Sequence, residues 1–375
     1  MIKIAYVIDT IVSPRAGSEN QLLKILAHLD RAEFEPHLIT LRESEWLNRN
    51  KLPCAYFNVG ISSIVSPGFI RARNRFAEYC RNNRIDLLQS FFIDSNMFAA
   101  LCSRKAGVKA TIAGRRSVGA GYWHSPKMVR IFRWLSKRTT HYVANSRAVA
   151  EETIRVERVA PNRVSVVPNA IDIERFSPPS PEQITTIRRK WGVPVNAIVI
   201  GAVANLRPVK NIPFLIEAAE PLIKKHDDLY FVVLGEGDLR PDLEQMIQVK
   251  NLSGRFLLPG SSTAVERDLY AFDIAVLCSH GESLSNSLME YMTCARPSIA
   301  SNVGGNRELL TSDSLGFLYE PGHHEQFGAI AERLITNPDL RKQVGATARA
   351  SACERFSLQP VMAQWENLYR RLIDP

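Results

Sequence analysis

Short apolar runs alternate with amphipathic stretches along the whole chain of 375 residues. Apolar runs of about four to eight residues predict buried strands, and apolar residues that recur every three or four positions predict helices. In the first half, strands are predicted at 2–8, 35–41, 54–57, 86–90, 109–113, 140–144 and 164–167, with helices at 18–29, 68–83, 94–105 and 146–157. The alternation predicts a parallel sheet with helices on both faces.

A proline-rich break, Ser177-Pro-Pro-Ser-Pro181, separates this pattern from a second one of the same kind. After the break, strands are predicted at 197–203, 229–234, 255–258, 273–277, 297–300 and 315–318, with helices at 211–225, 239–250, 286–295 and 325–336. The closing stretch, Leu358 to Leu372, predicts an amphipathic helix with Val361 and Trp365 on its apolar face.

These patterns predict an α/β protein with two doubly wound domains in series. A chain of this length is expected to form two cores. The predicted divisions are an N-terminal domain at 1–168, a linker at 169–181, a second domain at 182–356, and a C-terminal helix at 357–375 that packs back on the first domain. In such sheets ligands bind at the carboxyl ends of the strands, and a cleft between two domains faces both sets of ends.

Positive charge is concentrated in the first half. The net charge is +9, but residues 1–170 hold 26 Lys/Arg and 13 Asp/Glu, or +13, whereas residues 171–375 hold 21 and 25, or −4. Such a half could meet an anionic membrane, a phosphorylated acceptor or nucleic acid. The basic stretch around Arg130 and Arg133 includes Phe132, Trp134 and Leu135. It is either an interfacial helix or, as we favour, an ordinary helix with Phe132 and Leu135 in the core.

The composition is that of a soluble globular protein, with 45% hydrophobic and 23% charged residues. No apolar run approaches ~18 residues, so no membrane-spanning helix is predicted. The first residues predict a buried strand rather than a signal peptide. The six cysteines lack Cys-x-x-Cys spacing, which predicts buried thiols in a reducing cytoplasm.

Two carboxylates flank a predicted helix start in Glu282-Ser-Leu-Ser-Asn-Ser-Leu-Met-Glu290. A helix that begins near Ser285 offers unpaired backbone N–H groups and a positive dipole end, which suits a diphosphate. Carboxylates only accept hydrogen bonds, so Glu282 and Glu290 suit hydroxyl groups on either side of the phosphates, as in a nucleotide sugar. The alternative is that both are simply favourable charges near a helix N-terminus.

Further candidate residues follow other predicted strands. Arg207 and Lys210, three residues apart, can both reach one diphosphate and offset the negative charge of a leaving phosphate, or they are solvated loop charges. Glycine-containing turns follow three strands, at Gly17, Gly235-Glu-Gly237 and Val303-Gly304-Gly305. Glycine there permits close backbone approach, although each could be turn chemistry alone.

In these motifs the chain resembles the retaining glycosyltransferase family 4, of the two-domain GT-B fold. The resemblance covers nearly the whole length. It rests on the Gly17 loop, Ala144-Asn-Ser146, Val167-Pro-Asn-Ala-Ile-Asp172, Arg207 with Lys210, Gly235-Glu-Gly237, Glu282-x7-Glu290 and Val303-Gly-Gly305. The Glu-x7-Glu segment combined with the Arg-x-x-Lys loop is the most specific part.

The resemblance implies metal-independent transfer of a sugar from a nucleotide diphosphate sugar with retention of anomeric configuration. The motifs do not decide between uracil and guanine; we favour a UDP-sugar, with a GDP-sugar as the alternative. The resemblance also implies two sheets that face each other across a cleft. The catalytic residues would be Glu282, Arg207 and Lys210. The donor would be bound by these three and by Gly17, Ser285, Asn286, Ser287, Leu288 and Glu290. No cofactor is implied.

The sequence departs from the family after the fifth strand, where many members carry a histidine near the reacting sugar. Here the segment contains Arg115 and Arg116, followed by a glycine-rich stretch that ends at His124. Arg115 or Arg116 would contact an anionic acceptor or the donor phosphate. His124 would enter on the loop, although we favour an ordinary loop residue.

The expected partners are a nucleotide-sugar donor, a glycan or lipid-linked acceptor in cell-surface polysaccharide synthesis, and an anionic membrane surface at the inner face of the cell membrane. Two alternatives stay open. One is a GT-B nucleotide-sugar epimerase or hydrolase, which would need proton-transfer groups. The other is an inactive binding protein with a basic domain, but the basic run lacks interleaved aromatics, so nucleic acid is not expected.

Overall fold

The computed structural model describes residues 1–14, 17–117 and 125–374. The chain forms two compact units. Unit 1 comprises Met1–Ala170 and Leu358–Pro375, and unit 2 comprises Ile171–Ser357. The C-terminal segment therefore belongs to the unit that contains the N-terminus.

Each unit is built on a parallel sheet. The strands are β1 (Ile2–Ile8), β2 (Phe34–Thr40), β3 (Ala55–Asn58), β4 (Leu87–Ser90), β5 (Ala110–Arg115), β6 (His141–Ala144), β7 (Val164–Val166), β8 (Ile198–Val203), β9 (Leu229–Leu234), β10 (Phe256–Gly260), β11 (Ile274–Leu277), β12 (Ser298–Ser301) and β13 (Phe317–Tyr319). Unit 1 has the order β3-β2-β1-β4-β5-β6-β7, and unit 2 has β10-β9-β8-β11-β12-β13. The order reverses between β1 and β4 and between β8 and β11, so each sheet has a topological switch point there.

The helices connect these strands. They are α1 (Gly17–His28), α2 (Glu45–Arg49), α3 (Phe69–Asn82), α4 (Ile93–Ala106), α5 (Pro126–Leu135), α6 (Arg147–Glu157), α7 (Pro181–Trp191), α8 (Ile212–Lys225), α9 (Arg240–Val249), α10 (Val265–Asp268), α11 (Asn286–Thr293), α12 (Asn306–Leu309), α13 (His324–Thr336), α14 (Pro338–Phe356) and α15 (Leu358–Ile373). None of the helices in the described part of the chain has both the length and the apolar character that crossing a bilayer requires.

The two-sheet α/β fold is as predicted, and every predicted strand and helix is present with ends within two residues of the prediction. The pattern missed the short helices α2, α10 and α12 and the longer helices α7 and α14. Helix α7 begins inside the proline-rich break, because Ser180 and Gln183 form a capping box and Pro181 occupies the first helical position. Helix α14 buries mainly small residues, and a Cβ on Gly345 would lie 2.2 Å from the carbonyl oxygen of Ala295.

Helix α15 completes the core of unit 1. Val361, Trp365 and Tyr369 are buried with the residues of β1 and β2. The hydroxyl of Tyr369 donates to Oε1 of Gln89 at 2.6 Å, and the hydroxyl of Tyr6 lies 3.1 Å from it. A buried polar chain of this kind fixes the position of the helix on the sheet.

Helix α5 is an ordinary helix rather than one with a free apolar face. Its residues Met128, Phe132 and Leu135 are buried against α4. Trp134 stays exposed, with the guanidinium of Arg138 3.8 Å above its ring. The apolar face expected of an interfacial helix is therefore occupied by the core.

Candidate functional site

Two loops of unit 2 leave the sheet side by side at its switch point. The first follows β8 and carries Arg207 and Lys210, and the second follows β11 and leads through Glu282 into α11. Because β8 pairs with β11 in parallel, both loops lie at the carboxyl edge of the sheet. This is where ligands bind in open α/β sheets.

Glu282 is held at one of its two oxygens. The ammonium of Lys210 lies 2.6 Å from Oε1, and the hydroxyl of Ser279 donates to the same atom at 2.7 Å. Oε2 makes no hydrogen bond to the residues that the structure describes. Since the side chain is only 11% exposed, its orientation is fixed while one oxygen is left to accept a hydrogen bond.

Of the two cations on the loop after β8, Arg207 is the one whose side chain is available to bind an anion. Its side chain is exposed, and the described residues give its guanidinium neither an ion pair nor a hydrogen bond. A short 3₁₀ turn, Pro208–Lys210, follows it, and the N–H of Lys210 donates to the carbonyl of Arg207 at 2.9 Å. The loop therefore carries two cations, Lys210, which is paired with Glu282, and Arg207, which is not paired among the described residues. Two cations this close together suit a diphosphate.

Helix α11 begins where the sequence predicted. The hydroxyl of Ser285 accepts from the N–H of Leu288 at 3.2 Å, and that of Ser287 donates to the carbonyl of Val203 at 3.1 Å. The side chain of Leu288 is fully buried, and its N–H is already bonded to Ser285. Neither group is therefore available to contact a nucleotide sugar. Asn286 and Glu290 are half-buried at the start of the helix.

The end of β8 is tied to α11 by a residue that the sequence did not single out. Tyr291 is fully buried, and its hydroxyl accepts from the N–H of Val203 at 2.7 Å. Burial raises the pKa of Tyr291 well above its ordinary value, so this hydroxyl stays protonated. Ser279, which orients Glu282, was missed as well, because nothing in its loop sequence distinguishes it from a turn serine.

Two of the predicted glycine turns allow these loops to pack closely against neighbouring backbone. At Gly235, φ is +155° and a Cβ would lie 1.9 Å from the carbonyl oxygen of Ala204. At Gly304, φ is +44° and a Cβ would lie 1.8 Å from the carbonyl oxygen of Glu282. Both glycines therefore permit close packing of one loop backbone on another, which positions the Arg207 loop and the Glu282 segment.

In unit 1, the two predicted arginines have partners. The Arg115 guanidinium binds Glu157 through two hydrogen bonds, at 2.6 and 2.9 Å, and lies over the rings of Phe132 and Tyr142. Burial acts to lower the pKa of Arg115, but the Glu157 carboxylate outweighs it and the pKa is raised. Arg115 is thus committed to the interior of unit 1 and is not presented to an anion.

Among the described residues, the hydrogen-bond partners of Arg116 are neutral. Its Nε donates to Ser18 at 3.2 Å, and another of its nitrogens donates to Asn169. Burial lowers the pKa of the Arg116 guanidinium to about 10. Gly17 is the exposed first residue of α1, next to Ser18, whereas His124 lies outside the described residues.

Across residues 1–14, 17–117 and 125–374, no group of three His, Cys, Asp or Glu side chains is placed to hold a metal ion.

The architecture is that of the GT-B glycosyltransferases. HepE from Anabaena, solved in complex with UDP, superposes with a TM-score of 0.85 over 98% of this chain and 99% of that one, at 21% identity. In sequence, residues 15–175 match the family model "Glycosyltransferase Family 4", and residues 183–351 match "Glycosyl transferases group 1". The chain belongs to the group 1 and family 4 glycosyltransferases of the GT-B fold.

Two named relatives align with this chain over about three quarters of the length of each protein. One is the UDP-Gal:alpha-D-GlcNAc-diphosphoundecaprenol alpha-1,3-galactosyltransferase of Escherichia coli, 27% identical over 77% of this chain and 76% of that one. Another is the N-acetyl-alpha-D-glucosaminyl L-malate synthase of Bacillus anthracis, 24% identical over 79% and 77%.

Proposed function

We propose that this glycosyltransferase moves a hexose from a UDP-sugar, with retention of anomeric configuration and without a metal ion, to a glycan or lipid-linked acceptor in cell-surface polysaccharide synthesis. The observation that carries the proposal is the arrangement of Lys210, Glu282 and Arg207 at the switch point of unit 2. The UDP in HepE and the UDP-galactose in the name of the Escherichia coli relative favour uracil as the base.

Each residue has a distinct role in this proposal. Arg207 binds the diphosphate as a fork, and Lys210 adds a point charge, so that both offset the charge that grows on the leaving UDP. The free Oε2 of Glu282 accepts a hydrogen bond from a hydroxyl of the donor sugar. Glu290 binds the ribose, and the first turn of α11 faces the phosphates with its backbone N–H groups and dipole.

Retention follows if the acceptor attacks on the face from which UDP departs. In this step the bond from the anomeric carbon to the UDP oxygen breaks, the bond to the acceptor oxygen forms, and the acceptor proton passes to the departing diphosphate. No covalent nucleophile from the protein is then required. Arg207 and Lys210 act as electrostatic groups in place of a metal ion.

The experiment is to incubate the protein with UDP-glucose, UDP-galactose and UDP-N-acetylglucosamine in EDTA and to follow released sugar by proton NMR. At least one α-linked donor should release the α-anomer first, before mutarotation, and turnover should persist in EDTA. Release of the β-anomer would refute retention. Turnover that requires added Mg²⁺ or Mn²⁺ would refute metal independence.

We also propose a cytoplasmic enzyme that attaches to the inner face of the membrane through unit 1. The support is the charge of its surface, where Lys127, Arg130 and Lys137 are exposed near Trp134. Vesicles with 30 mol% anionic lipid should co-sediment with the protein at low salt, and Lys127→Glu with Lys137→Glu should abolish this. Equal sedimentation with neutral vesicles, or no sedimentation, would contradict the attachment.

A further inference from the structure

Unit 1 contains a cavity of about 460 Å³ at the amino edge of its sheet. It is lined by Thr111 at the start of β5, by Thr140 just before β6 and by Arg163 just before β7. These strands are neighbours in a parallel sheet, so their amino ends meet at one edge. Strand β5 has six residues, which places this edge roughly 20 Å from the carboxyl edge. The cavity is therefore separate from the edge at which open α/β sheets bind their ligands.

The lining of this cavity is strongly basic. Its charged residues are Arg104 at the end of α4, Lys137 and Arg138 in the 3₁₀ turn that follows α5, and Arg163. No carboxylate is among the described residues that line it, so the formal charge of the lining is +4. Positive charge that is concentrated in a concave surface raises the local concentration of anions.

Three of these cations are available to a ligand. Within the part of the chain that the structure describes, the side chains of Arg104, Lys137 and Arg138 form neither an ion pair nor a hydrogen bond. The guanidinium of Arg138 lies 3.8 Å from the centre of the Trp134 ring. Stacking on an aromatic face holds a guanidinium in place and leaves the N–H groups at its edge to donate.

The fourth cation removes a source of repulsion. Helix α4 and the turn after α5 both end at the cavity, and unpaired carbonyl oxygens at helix ends repel an anion. Arg163 donates to the carbonyl oxygens of Ser136 at 2.8 Å and of Thr140 at 3.2 Å. The N–H of Gly107 donates to the carbonyl oxygen of Ser103 at 3.1 Å. These oxygens are therefore already hydrogen-bonded, and their repulsion of an anion is reduced.

A hydroxyl group adds a neutral donor. Oγ1 of Thr140 accepts from the N–H of Thr111 at 3.1 Å, so its own proton is left to donate. A phosphate monoester offers three acceptor oxygens and close to two negative charges at neutral pH. Guanidinium groups, an ammonium and a hydroxyl are the donors that such a group binds. The volume is in the range of small-molecule sites, so there is room for an organic group on the phosphate.

We propose that this cavity binds the phosphate of a phosphomonoester, with Arg104, Lys137 and Arg138 around its oxygens and the hydroxyl of Thr140 donating to it. It is a second anion site of the enzyme, apart from the donor site of unit 2. The proposal goes beyond the transfer reaction and does not depend on it. The phosphomonoester is either a free metabolite or the headgroup of a membrane lipid, and the test separates these sources.

The first experiment is calorimetric titration of the full chain with glycerol 3-phosphate at physiological salt, with glycerol as the neutral counterpart. The wild type should bind glycerol 3-phosphate and not glycerol. Arg207→Ala, which removes a cation from the proposed donor site, should bind it as the wild type does. No binding to the wild type at millimolar concentrations, or loss of binding in Arg207→Ala, would overturn the proposal.

Two matched pairs of variants locate the binding. Arg104 and Lys105 are adjacent and exposed in the last turn of α4, but only Arg104 lines the cavity. Arg104→Glu should weaken binding at least tenfold, and Lys105→Glu, with the same change in net charge, less than threefold. Lys137→Glu and Lys127→Glu should differ in the same way, because Lys127 is exposed at the start of α5 outside the cavity. Equal losses within both pairs would show a general charge effect and would overturn the site.

Vesicles distinguish the two sources of the phosphate. The protein is sedimented with vesicles of 30 mol% phosphatidic acid, whose headgroup is a phosphomonoester, or 30 mol% phosphatidylglycerol, an anionic diester. Stronger sedimentation with phosphatidic acid that glycerol 3-phosphate competes away, and that Arg104→Glu abolishes, would support the site with a lipid headgroup as its ligand. Equal sedimentation with both lipids, together with binding of glycerol 3-phosphate in solution, would support the site with a free phosphomonoester as its ligand.

Discussion

The ammonium of Lys210 and the carboxylate of Glu282 form an ion pair of 2.6 Å across 72 positions of sequence. The pair joins the loop after β8 to the loop after β11, and both partners are largely shielded from water. It neutralises Lys210, whereas Arg207 is exposed and has no ion pair among the described residues. In the proposed function, Arg207 is therefore the group that meets an incoming diphosphate, and the second oxygen of Glu282 accepts from the sugar.

Glu282→Ala is expected to affect turnover more than donor binding. Lys210 and Ser279 hold the carboxylate in place. In the proposed function this carboxylate acts on the donor sugar, whereas Arg207 and Lys210 bind the diphosphate. We expect kcat to fall by about 100-fold or more, with less than a tenfold change in the affinity for UDP. Steady-state kinetics and calorimetry on the same preparations measure both. An unchanged kcat would show that Glu282 has no role in the reaction. Glu325→Ala, on α13 of the same unit, is the control for the loss of a carboxylate and should leave both quantities unchanged.

Gly304→Ala should distort the Glu282 segment. A Cβ at this position would overlap the carbonyl oxygen of Glu282, and the positive φ adds backbone strain. We expect a loss of more than about 2 kcal/mol in the free energy of unfolding together with reduced turnover. Gly328→Ala, inside α13 with open space around the new methyl, should be neutral or stabilising by about 0.5–1 kcal/mol. Equal urea midpoints for the two variants would contradict the packing argument.

Glu157→Gln tests the interior role of Arg115. The substitution leaves a buried guanidinium without its opposite charge, so unit 1 should lose on the order of 3 kcal/mol of stability. Glu151→Gln, at an exposed position on the same helix, is the control and should lose little. Denaturant unfolding followed by tryptophan fluorescence measures the difference. Similar unfolding of both variants would show that Arg115 is not held as described.

His141 should make unit 1 sensitive to acid. Burial, and then the nearby Arg371 and Arg163, lower the pKa of His141 to about 4, whereas the ordinary value is 6.5. As pH falls, His141 therefore binds a proton in the unfolded chain before it does in the folded chain. The part of the free energy of unfolding that depends on a neutral His141 is complete above pH 6.5 and is lost between pH 6.5 and 4. The loss is on the order of 2–3 kcal/mol.

Melting temperatures measured from pH 7 to pH 4 should fall more steeply for the wild type than for His141→Gln. His323→Gln, at an exposed histidine, should follow the wild type. Parallel curves for wild type and His141→Gln would contradict the prediction.

The fold was predictable from the sequence because strands and helices of a doubly wound protein differ strongly in hydrophobic period. Helix α14 was not, because three of its five buried residues are Gly345, Ala348 and Ala352, which carry little hydrophobic signal but allow close packing. Helix α7 has clear start signals at Ser180 and Pro181, yet the same prolines are typical of a linker.

The residues of the candidate site could be found from motifs, but their pairing could not. Which loops meet at the switch point depends on strand order, so the contacts of Glu282 with Lys210 and Ser279 become visible only in the folded chain. The same holds for Arg115, which the sequence suggested as an acceptor contact. Its partner Glu157 lies 42 positions away, on α6.

The most direct test of the account is the stabilisation of the protein by UDP in EDTA, with GDP, ADP and dTDP for comparison. A nucleotide that binds only the folded state at 100 times its dissociation constant adds about 2.7 kcal/mol of stability. We predict that UDP raises the melting temperature of the wild type and of Arg189→Ala, a variant on α7, and that Arg207→Ala abolishes the rise. No rise with any nucleotide, or an equal rise in Arg207→Ala, would contradict a donor site at Arg207, Lys210 and Glu282.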